Sequence, residues 1–439
     1  MMQNKKTAII NANVFDGKEI LGQRTVVFQN GKFISISKEV PVDAEVIDGR
    51  GCTLLPGLID AHVHTSEDSL RDAILFGVTT ELEMQGGMTR KGRELQIKDK
   101  SNIADVRSSG MALTAPGGHP DELIPKEDGI PSFILKKMEK MTEKEKKDFV
   151  AAFEERENED SNKIDVTIVD GAVQFVRQQI ENGADYFKVM IEEGTVMNAP
   201  GLPMIKTEVL KAAVNEAHKL GKIAIAHVLT AEAAKTAIEV GVDGLAHLFI
   251  DRPSWTCELI KSIADKRIFV TPCLVLNSSI IGNSACHVAK DDRVQHKLNE
   301  DWKATMCSCF NTFPSGKMED SFNNVKDLHD AGVDILVGTD VSVPMAHLGG
   351  LAHGVSVHHE MQLLVEAGLS PIDALRSATS VTAKRFSLTD RGSIAEGLRA
   401  DLILVKGNPT ENISDSLSIL SVWKEGVKIN LDDNANKVQ

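Results

Sequence analysis

Four histidines near the ends of apolar runs are the residues of this sequence best suited to chemistry. His62 and His64 stand two apart in DAHVH, so on a strand both imidazoles face one side and can share a metal ion. His227 lies in IAIAHV and His247 in GLAHLF, at a spacing that fits one strand, one helix and two turns. An HxH pair arises often by chance, and a core histidine bonded to the backbone is the alternative for each single position. The four positions together favour a metal site.

Two charged side chains fall in apolar runs that would bury them. Asp340 ends DILVGTD, and a buried carboxylate costs several kcal/mol unless it is paired or bound to a cation. A helix N-cap is the alternative, but the following VSVPM is a poor helix start. Lys188 lies inside DYFKVMI, where an ion pair with Asp185 or Glu192 is one option. The other is an amine of lowered pKa that takes up carbon dioxide, because the carbamate so formed can bridge two cations.

Apolar β-type runs alternate with amphipathic helical runs through the middle of the chain, which predicts a parallel α/β architecture. Helices are predicted at 206–221 and 230–241. Eight strands with helices between them fit a closed (β/α)8 barrel. An open doubly wound sheet is the alternative, although no GxGxxG follows the first strand. The strand candidates are 54–64, 78–83, 110–116, 185–191, 223–228, 244–249, 268–273 and 334–340.

The composition limits the classes of protein that the chain can belong to. Its 439 residues predict one large domain with a smaller one, and 42% hydrophobic residues exclude fibrous and disordered classes. A net charge of −14 argues against binding to nucleic acid or anionic membranes. We expect no membrane span, no secretory signal and a cytoplasmic location. Six cysteines without a CxxC pair predict reduced thiols, and Cys307 and Cys309 are expected as unpaired thiols rather than metal ligands.

Three further segments stand out from the alternating middle of the chain. Both ends are rich in β-type runs, at 7–50 and 399–431, with a hairpin turn predicted at NGK 30–32. The charged run 136–149 predicts a solvated surface helix. Residues 273–316 are long for a connection, which makes them a candidate lid over the site.

The sequence resembles the metal-dependent amidohydrolase superfamily, within it the imidazolonepropionase-like and prolidase-like hydrolases. The resemblance covers nearly the whole chain. It implies a (β/α)8 TIM barrel over 56–391 and a small β-sandwich built from 1–55 and 392–439. The motifs that carry it are LLPGLIDAHVHT (54–65), FGVTTE (76–81), the Lys188 strand, AHV (226–228), AHL (246–248), GTD (338–340), and the segments 363–386 and 391–409.

The resemblance also implies a two-metal centre. The HxH pair and the aspartate would hold the more buried ion, the two single histidines the second ion, and a carboxylated lysine would bridge both. Mixed imidazole and oxygen ligands favour zinc, with iron or manganese as alternatives. The implied ligands are His62, His64, Lys188, His227, His247 and Asp340.

Two residues are candidates for substrate binding. His119 belongs to APGGH, which resembles a GGH turn of prolidase-like members whose histidine faces substrate. Tyr186 stands two residues before Lys188 and should share its face, with core packing as the alternative.

The remaining polar candidates are less specific. His353, His358 and His359 are expected at the rim or on a solvated face rather than as ligands. Glu192 and Glu193 replace the small, Gly-rich segment that many relatives carry, and we expect them in a loop on the rim. Carboxylates there would favour neutral or cationic substrates over doubly anionic ones.

Together these features predict a binuclear metal-dependent hydrolase that cleaves an amide, dipeptide-like or cyclic-amide C–N bond of a small molecule. Asp340 is the expected catalytic proton acceptor. An Xaa-Pro dipeptidase-like activity is one candidate, and a homo-oligomer is expected. The alternatives are a one-metal deaminase of the same superfamily, which would not need Lys188, and an inactive scaffold.

Overall fold

A computed structural model describes residues 6–98, 100–124, 126–127, 130–131, 142, 146 and 164–431. The strands are β1 (Thr7–Phe15), β2 (Ile20–Gln29), β3 (Lys32–Ser37), β4 (Glu45–Asp48), β5 (Cys52–Pro56), β6 (Leu58–Val63), β7 (Val78–Glu83), β8 (Asp105–Ser108), β9 (Lys126–Glu127), β10 (Ile130–Pro131), β11 (Phe187–Met190), β12 (Ala224–His227), β13 (Gly244–Ala246), β14 (Phe269–Thr271), β15 (Leu402–Lys406), β16 (Ile419–Lys424) and β17 (Val427–Lys428). The helices are α1 (Glu67–Ile74), α2 (Arg90–Gln96), α3 (Val169–Glu181), α4 (Thr207–Lys219), α5 (Ala231–Val240), α6 (Thr256–Asp265), α7 (Leu274–Ile280), α8 (Cys286–Ala289), α9 (Glu300–Met306), α10 (Met318–Asp330), α11 (Val355–Glu366), α12 (Pro371–Ser377) and α13 (Ser380–Arg385).

Two parallel sheets form the middle of the α/β fold. One has the order β6-β7-β8 and the other β11-β12-β13-β14. Isolated parallel bridges extend the pairing, and they join Leu113 to Val189, Val270 to Ile335, and Val63 to Val341. This pairing order is consistent with a TIM-barrel domain.

The third predicted strand is wrong in position. The sequence placed it at 110–116, whereas β8 spans Asp105–Ser108 and Leu113 makes only a single bridge. The strand was missed because its sequence, DVRS, is mostly polar, and only its second and fourth residues are buried. The predicted eighth strand also forms only isolated bridges, at Ile335 and Val341.

Both ends of the chain join in one sheet of eight strands. Its order is β17-β16-β15-β5-β1-β2-β3, with β4 paired to β1. The predicted hairpin turn connects β2 to β3, and its residues Asn30 and Gly31 have φ angles of 52° and 76°. Positive φ at both central residues is typical of the tight turns that match strand twist. The sandwich and the division into 1–55 with 392–439 and 56–391 remain predictions.

The two predicted helices are present as α4 and α5, within two residues of their expected ends. Thr230 caps α5 by accepting a hydrogen bond from Ala233 N, and Gly241 ends it with φ 89°. The charged run 136–149 lies almost entirely outside the described residues. Within the described chain, no helix is long and apolar enough to cross a membrane.

The prediction that all cysteines are reduced is wrong for one pair. Cys286 in α8 and Cys307 after α9 form a disulfide, because the two short helices bring their Cα atoms to 4.2 Å. Cys52, Cys257, Cys273 and Cys309 are free. Residues 273–316 contain α7, α8 and α9, and their role as a lid stays a prediction.

Candidate metal centre

The six predicted ligands meet at one cavity of about 310 Å3. Five of them lie within a parallel strand or directly after one, and Asp340 lies between the isolated parallel bridges at Ile335 and Val341, so the carboxyl ends of the strands bring them together. The backbone turns sharply there, with φ of 71° at His247 and 61° at Asp340. All six line the cavity: His62, His64, Lys188, His227, His247 and Asp340.

Asp340 is the point on which three imidazoles converge. Its Oδ1 lies 2.9 Å from Nε2 of His62 and 3.1 Å from Nε2 of His64. Its Oδ2 lies 3.9 Å from Nε2 of His247. Burial would raise the pKa of Asp340, but His62 and His247 hold it well below its ordinary value. The carboxylate is therefore ionised, and the N-cap alternative is wrong.

Three of the four histidines are held in the neutral form, whereas Asp340 and the carbonyl of Gln85 outweigh burial and raise the pKa of His64. Burial lowers the pKa of His62 to about 3, and it lowers the pKa values of His227 and His247 well below their ordinary range. Nδ1 of His64 lies 3.0 Å from the carbonyl of Gln85, so this nitrogen carries the proton and leaves Nε2 as a ligand atom. Nδ1 of His62 and of His247 is buried without a hydrogen-bond partner in the described chain.

Lys188 is a buried amine without a counter-ion. Its side chain is 1% exposed, and burial lowers its pKa to about 8. Both expected ion pairs are absent: Asp185 pairs with Arg93 at 2.7 Å, and Glu192 contacts His227. Among the described residues, no hydrogen bond or ion pair reaches Nζ. An unpaired buried ammonium is costly, so the position favours a neutral or modified amine.

One substrate-binding candidate lies at the cavity and the other does not. The ring of His119 lines the cavity 4.3 Å from the ring of His227, and its Nδ1 lies 2.6 Å from Glu122 Oε1. Tyr186 is absent from the cavity wall. Its hydroxyl donates to the carbonyls of Glu83 and Arg107, and its ring packs in a buried apolar cluster. The core-packing alternative therefore describes Tyr186, because its side chain lies in the buried apolar cluster and not at the cavity.

The histidines near the start of α11 are not solvated. His353 and His358 are fully buried, and His359 is 7% exposed. Nδ1 of His353 lies 2.8 Å from Glu81 Oε1. His358 contacts Ser416 Oγ and the carbonyl of Phe76 through its two nitrogens. The expected rim or solvated position is wrong, because α11 is buried on nearly every face.

The adjacent glutamates lie in the loop after β11, as expected, but one of them is buried rather than exposed to substrate. Glu192 is 2% exposed, and burial raises its pKa to about 7. Glu193 is half-buried and accepts hydrogen bonds from the backbone and hydroxyl of Thr195. Neither lines the cavity, so the predicted repulsion of anionic substrates loses its structural basis.

A model of the amidohydrolase family matches residues 141–429. The chain belongs to the amidohydrolase family. Ochratoxinase from Aspergillus niger is 24% identical over 411 residues, which cover 85% of this chain and 75% of the relative. A solved Xaa-Pro dipeptidase with bound methionine has a TM-score of 0.71 at 22% identity, covering 97% of this chain and 100% of its own. Molinate hydrolase has a TM-score of 0.73 at 20% identity, covering 100% and 97%. The resemblance inferred from the motifs is confirmed.

A polar layer lies directly behind the ligands of this amidohydrolase, and the sequence did not reveal it. Asp60 is fully buried, and its carboxylate accepts from Thr339 Oγ1 at 2.7 Å and from the backbone nitrogens of His62 and Thr339. Glu360 accepts from the first two backbone nitrogens of α7. The only sign of this layer in the sequence is the position of its two acidic residues: Asp60 lies in an apolar strand, and Glu360 lies in a buried helix.

One thiol beside the ligands was also missed. Donor atoms of His62, His247 and Cys273 lie within 4.8 Å of one another, as do those of His62, His64 and Asp340. Much of the cavity wall is apolar, and it includes Leu123, Ile124, Met190, Phe310, Val343, Met345 and Leu348.

Proposed function

We propose that the protein uses two divalent metal ions to hydrolyse an amide, dipeptide-like or cyclic-amide C–N bond of a small molecule. The observation that carries this proposal is Lys188, a buried amine without a partner in the described chain, set among four imidazoles and Asp340. A carbamate on its Nζ has one negative charge and two oxygens, which is what a bridge between two cations requires. Such carboxylation depends on a depressed lysine pKa, and burial depresses this one to about 8.

The donor set fits this use. Neutral imidazoles and ionised carboxylates are the groups that zinc prefers, and iron or manganese are the alternatives. His62, His64 and Asp340 would hold one ion, His227 and His247 would hold the other, and a carboxylated Lys188 would contribute to both.

The chemistry supplied by two bound ions is activation of water and polarisation of the substrate carbonyl. Asp340 accepts the proton of the attacking water at a carboxylate oxygen and passes it to the leaving nitrogen. His119, fixed by Glu122, contacts the substrate at the cavity wall. The apolar side chains opposite limit the access of bulk water.

The substrate class is supported by the relatives. Ochratoxinase and the Xaa-Pro dipeptidase favour an amide or dipeptide-like bond. We also propose that residues 56–391 close into a (β/α)8 barrel, that 1–55 and 392–439 form a β-sandwich, and that the protein is a cytoplasmic homo-oligomer. Light scattering tests the oligomer.

Element analysis of the purified protein is the first test. Two ions per chain support the proposal, one ion favours the deaminase, and none favours the scaffold. Prolonged chelation should abolish hydrolysis of a panel of N-acyl amino acids and dipeptides, and zinc should restore it. Full activity in metal-free protein would contradict the mechanism.

The carbamate has its own test. Lys188→Ala should lose both ions and more than about 10³-fold in rate, or about 4 kcal/mol, and a short carboxylic acid should restore part of each. An unmodified Lys188 beside two bound ions in a density map would refute the bridge.

A further inference from the structure

Glu192 is a buried carboxylate at the edge of the candidate centre that the proposed reaction does not use. Its side chain is 1% exposed, and its Oε2 lies 3.2 Å from Nε2 of His227. Its Oε1 accepts a hydrogen bond of 2.7 Å from the backbone nitrogen of Gly194. His227 lines the cavity, whereas Glu192 does not.

This contact distinguishes His227 from the other three histidines. Nε2 of His62, His64 and His247 points toward Asp340, at 2.9, 3.1 and 3.9 Å. Nε2 of His227 points instead to Glu192. Within the described residues, no hydrogen bond reaches Nδ1 of His227, although the ring lines the cavity. Nδ1 is therefore the nitrogen left for an ion.

The backbone around Glu192 fixes the contact. Ile191 N donates to the carbonyl of His227 at 3.2 Å, which extends the β11–β12 pairing to the residue before Glu192. Gly194 has φ 93°, and a Cβ there would lie 1.9 Å from the carbonyl oxygen of Ala199, so the turn requires glycine. The loop returns through a hydrogen bond of 2.8 Å from Gly201 N to Glu193 O. The carboxylate is thus held by a tight loop on the end of a strand.

We propose that Glu192 is a positioning residue that accepts the Nε2–H of His227 and so presents Nδ1 to a divalent cation. The inference rests on the proposed function, because it requires the centre to bind metal. A ligating imidazole that donates its other N–H to a carboxylate has a fixed tautomer, a fixed ring orientation and greater basicity. Loss of such a partner typically costs about 10–100-fold in metal affinity.

Zinc binding to the full-length protein tests the role of Glu192. Ions per chain are measured by element analysis, and the Kd of each ion by competition with a chelator. Glu192→Met keeps the chain length but offers no strong acceptor, so it should weaken one of the two ions by about 10–100-fold. Glu192→Gln keeps an acceptor oxygen and should weaken that ion less. Glu193→Gln is the matched control, and its zinc affinities should equal those of the wild type.

Two results would overturn the inference: wild-type zinc affinities in Glu192→Met, or an equal loss in Glu193→Gln. Failure of the wild type to bind zinc would instead reject the proposed function. NMR of metal-free wild-type protein with 15N-labelled histidine shows which ring nitrogen of His227 carries the proton. The His227 signals are assigned by their loss in His227→Asn. This experiment does not require a folded Glu192 variant. We expect the His227 proton on Nε2. A proton on Nδ1 would overturn the inference even if Glu192→Met does not fold.

Discussion

The metal centre and the polar layer behind it contain similar residues but satisfy them differently. In the centre, Lys188 Nζ and the Nδ1 atoms of His62 and His247 have no hydrogen-bond partner among the described residues. In the layer, Asp60 accepts three hydrogen bonds and Glu360 accepts two. Both regions are buried, so exposure does not distinguish them.

The two regions therefore differ in whether their buried polar atoms have hydrogen-bond partners within the protein. A buried polar atom without a partner costs about 1–3 kcal/mol, and in the centre the amine of Lys188 is such an atom at the wall of a cavity. A buried polar atom with all its partners contributes to positioning alone. Substitutions in the centre should change metal binding and rate, whereas substitutions in the layer should change stability.

Asp340→Asn should give the largest effect. The amide keeps the volume of the side chain but cannot accept the proton, and general-base steps contribute about 10²–10⁴-fold. We expect a loss of that order in kcat on the best substrate of the panel, with a small change in the free energy of unfolding. A loss below about tenfold would assign the proton to another group.

Acid should destabilise the protein through the buried His358, which lies outside the metal centre. Burial lowers the pKa of His358 to about 4, so the unfolded chain binds a proton that the folded protein excludes. The stability is present above about pH 6.5 and is lost as the pH falls toward 4, by about 3 kcal/mol at most. Urea unfolding of the metal-free protein at several pH values measures this loss. His358→Gln should reduce the pH slope by about one proton, and an unchanged slope would contradict the assignment.

Glu81→Gln tests a buried carboxylate outside the metal centre while keeping the size of the side chain. Glu81 joins Thr65 Oγ1 at 2.5 Å to His353 Nδ1 at 2.8 Å, and of these three residues only Thr65 lines the cavity. The amide leaves one of these groups poorly paired, which should lower the free energy of unfolding by about 1–3 kcal/mol. The zinc content should stay at two ions per chain. Loss of an ion would remove the distinction between centre and layer.

The sequence predicted the centre because its ligands follow a local pattern. Each predicted ligand ends or interrupts an apolar run. Because the strands are parallel, the carboxyl ends of these runs meet at one face of the fold. The layer lacks such a pattern, because the partners of Asp60 and Glu360 lie far away in sequence, at Thr339 and at Leu274. The contact of Glu192 was missed for the same reason: its partner His227 belongs to the next strand.

Helices and strands were predicted well where hydrophobic periodicity was strong, as in α4, α5 and the hairpin of β2 and β3. β8 was displaced, because a four-residue strand that contains one aspartate and one arginine has little apolar signal. The disulfide between Cys286 and Cys307 could not be read from spacing, since it depends on how α8 and α9 pack.

Tyr186→Phe should give the smallest effect, and it separates a cavity residue from a core residue. The hydroxyl donates at 2.8 Å to the carbonyl of Glu83 and at 3.0 Å to that of Arg107. Its loss should lower the free energy of unfolding by about 1 kcal/mol, because one buried donor is removed and the ring packing is kept. Since the side chain lies outside the cavity, KM and kcat should stay within about threefold of the wild type. His119→Phe is the matched control at the cavity, where KM should rise at least about tenfold. A similar rise in Tyr186→Phe would return Tyr186 to the substrate site and contradict its placement in the core.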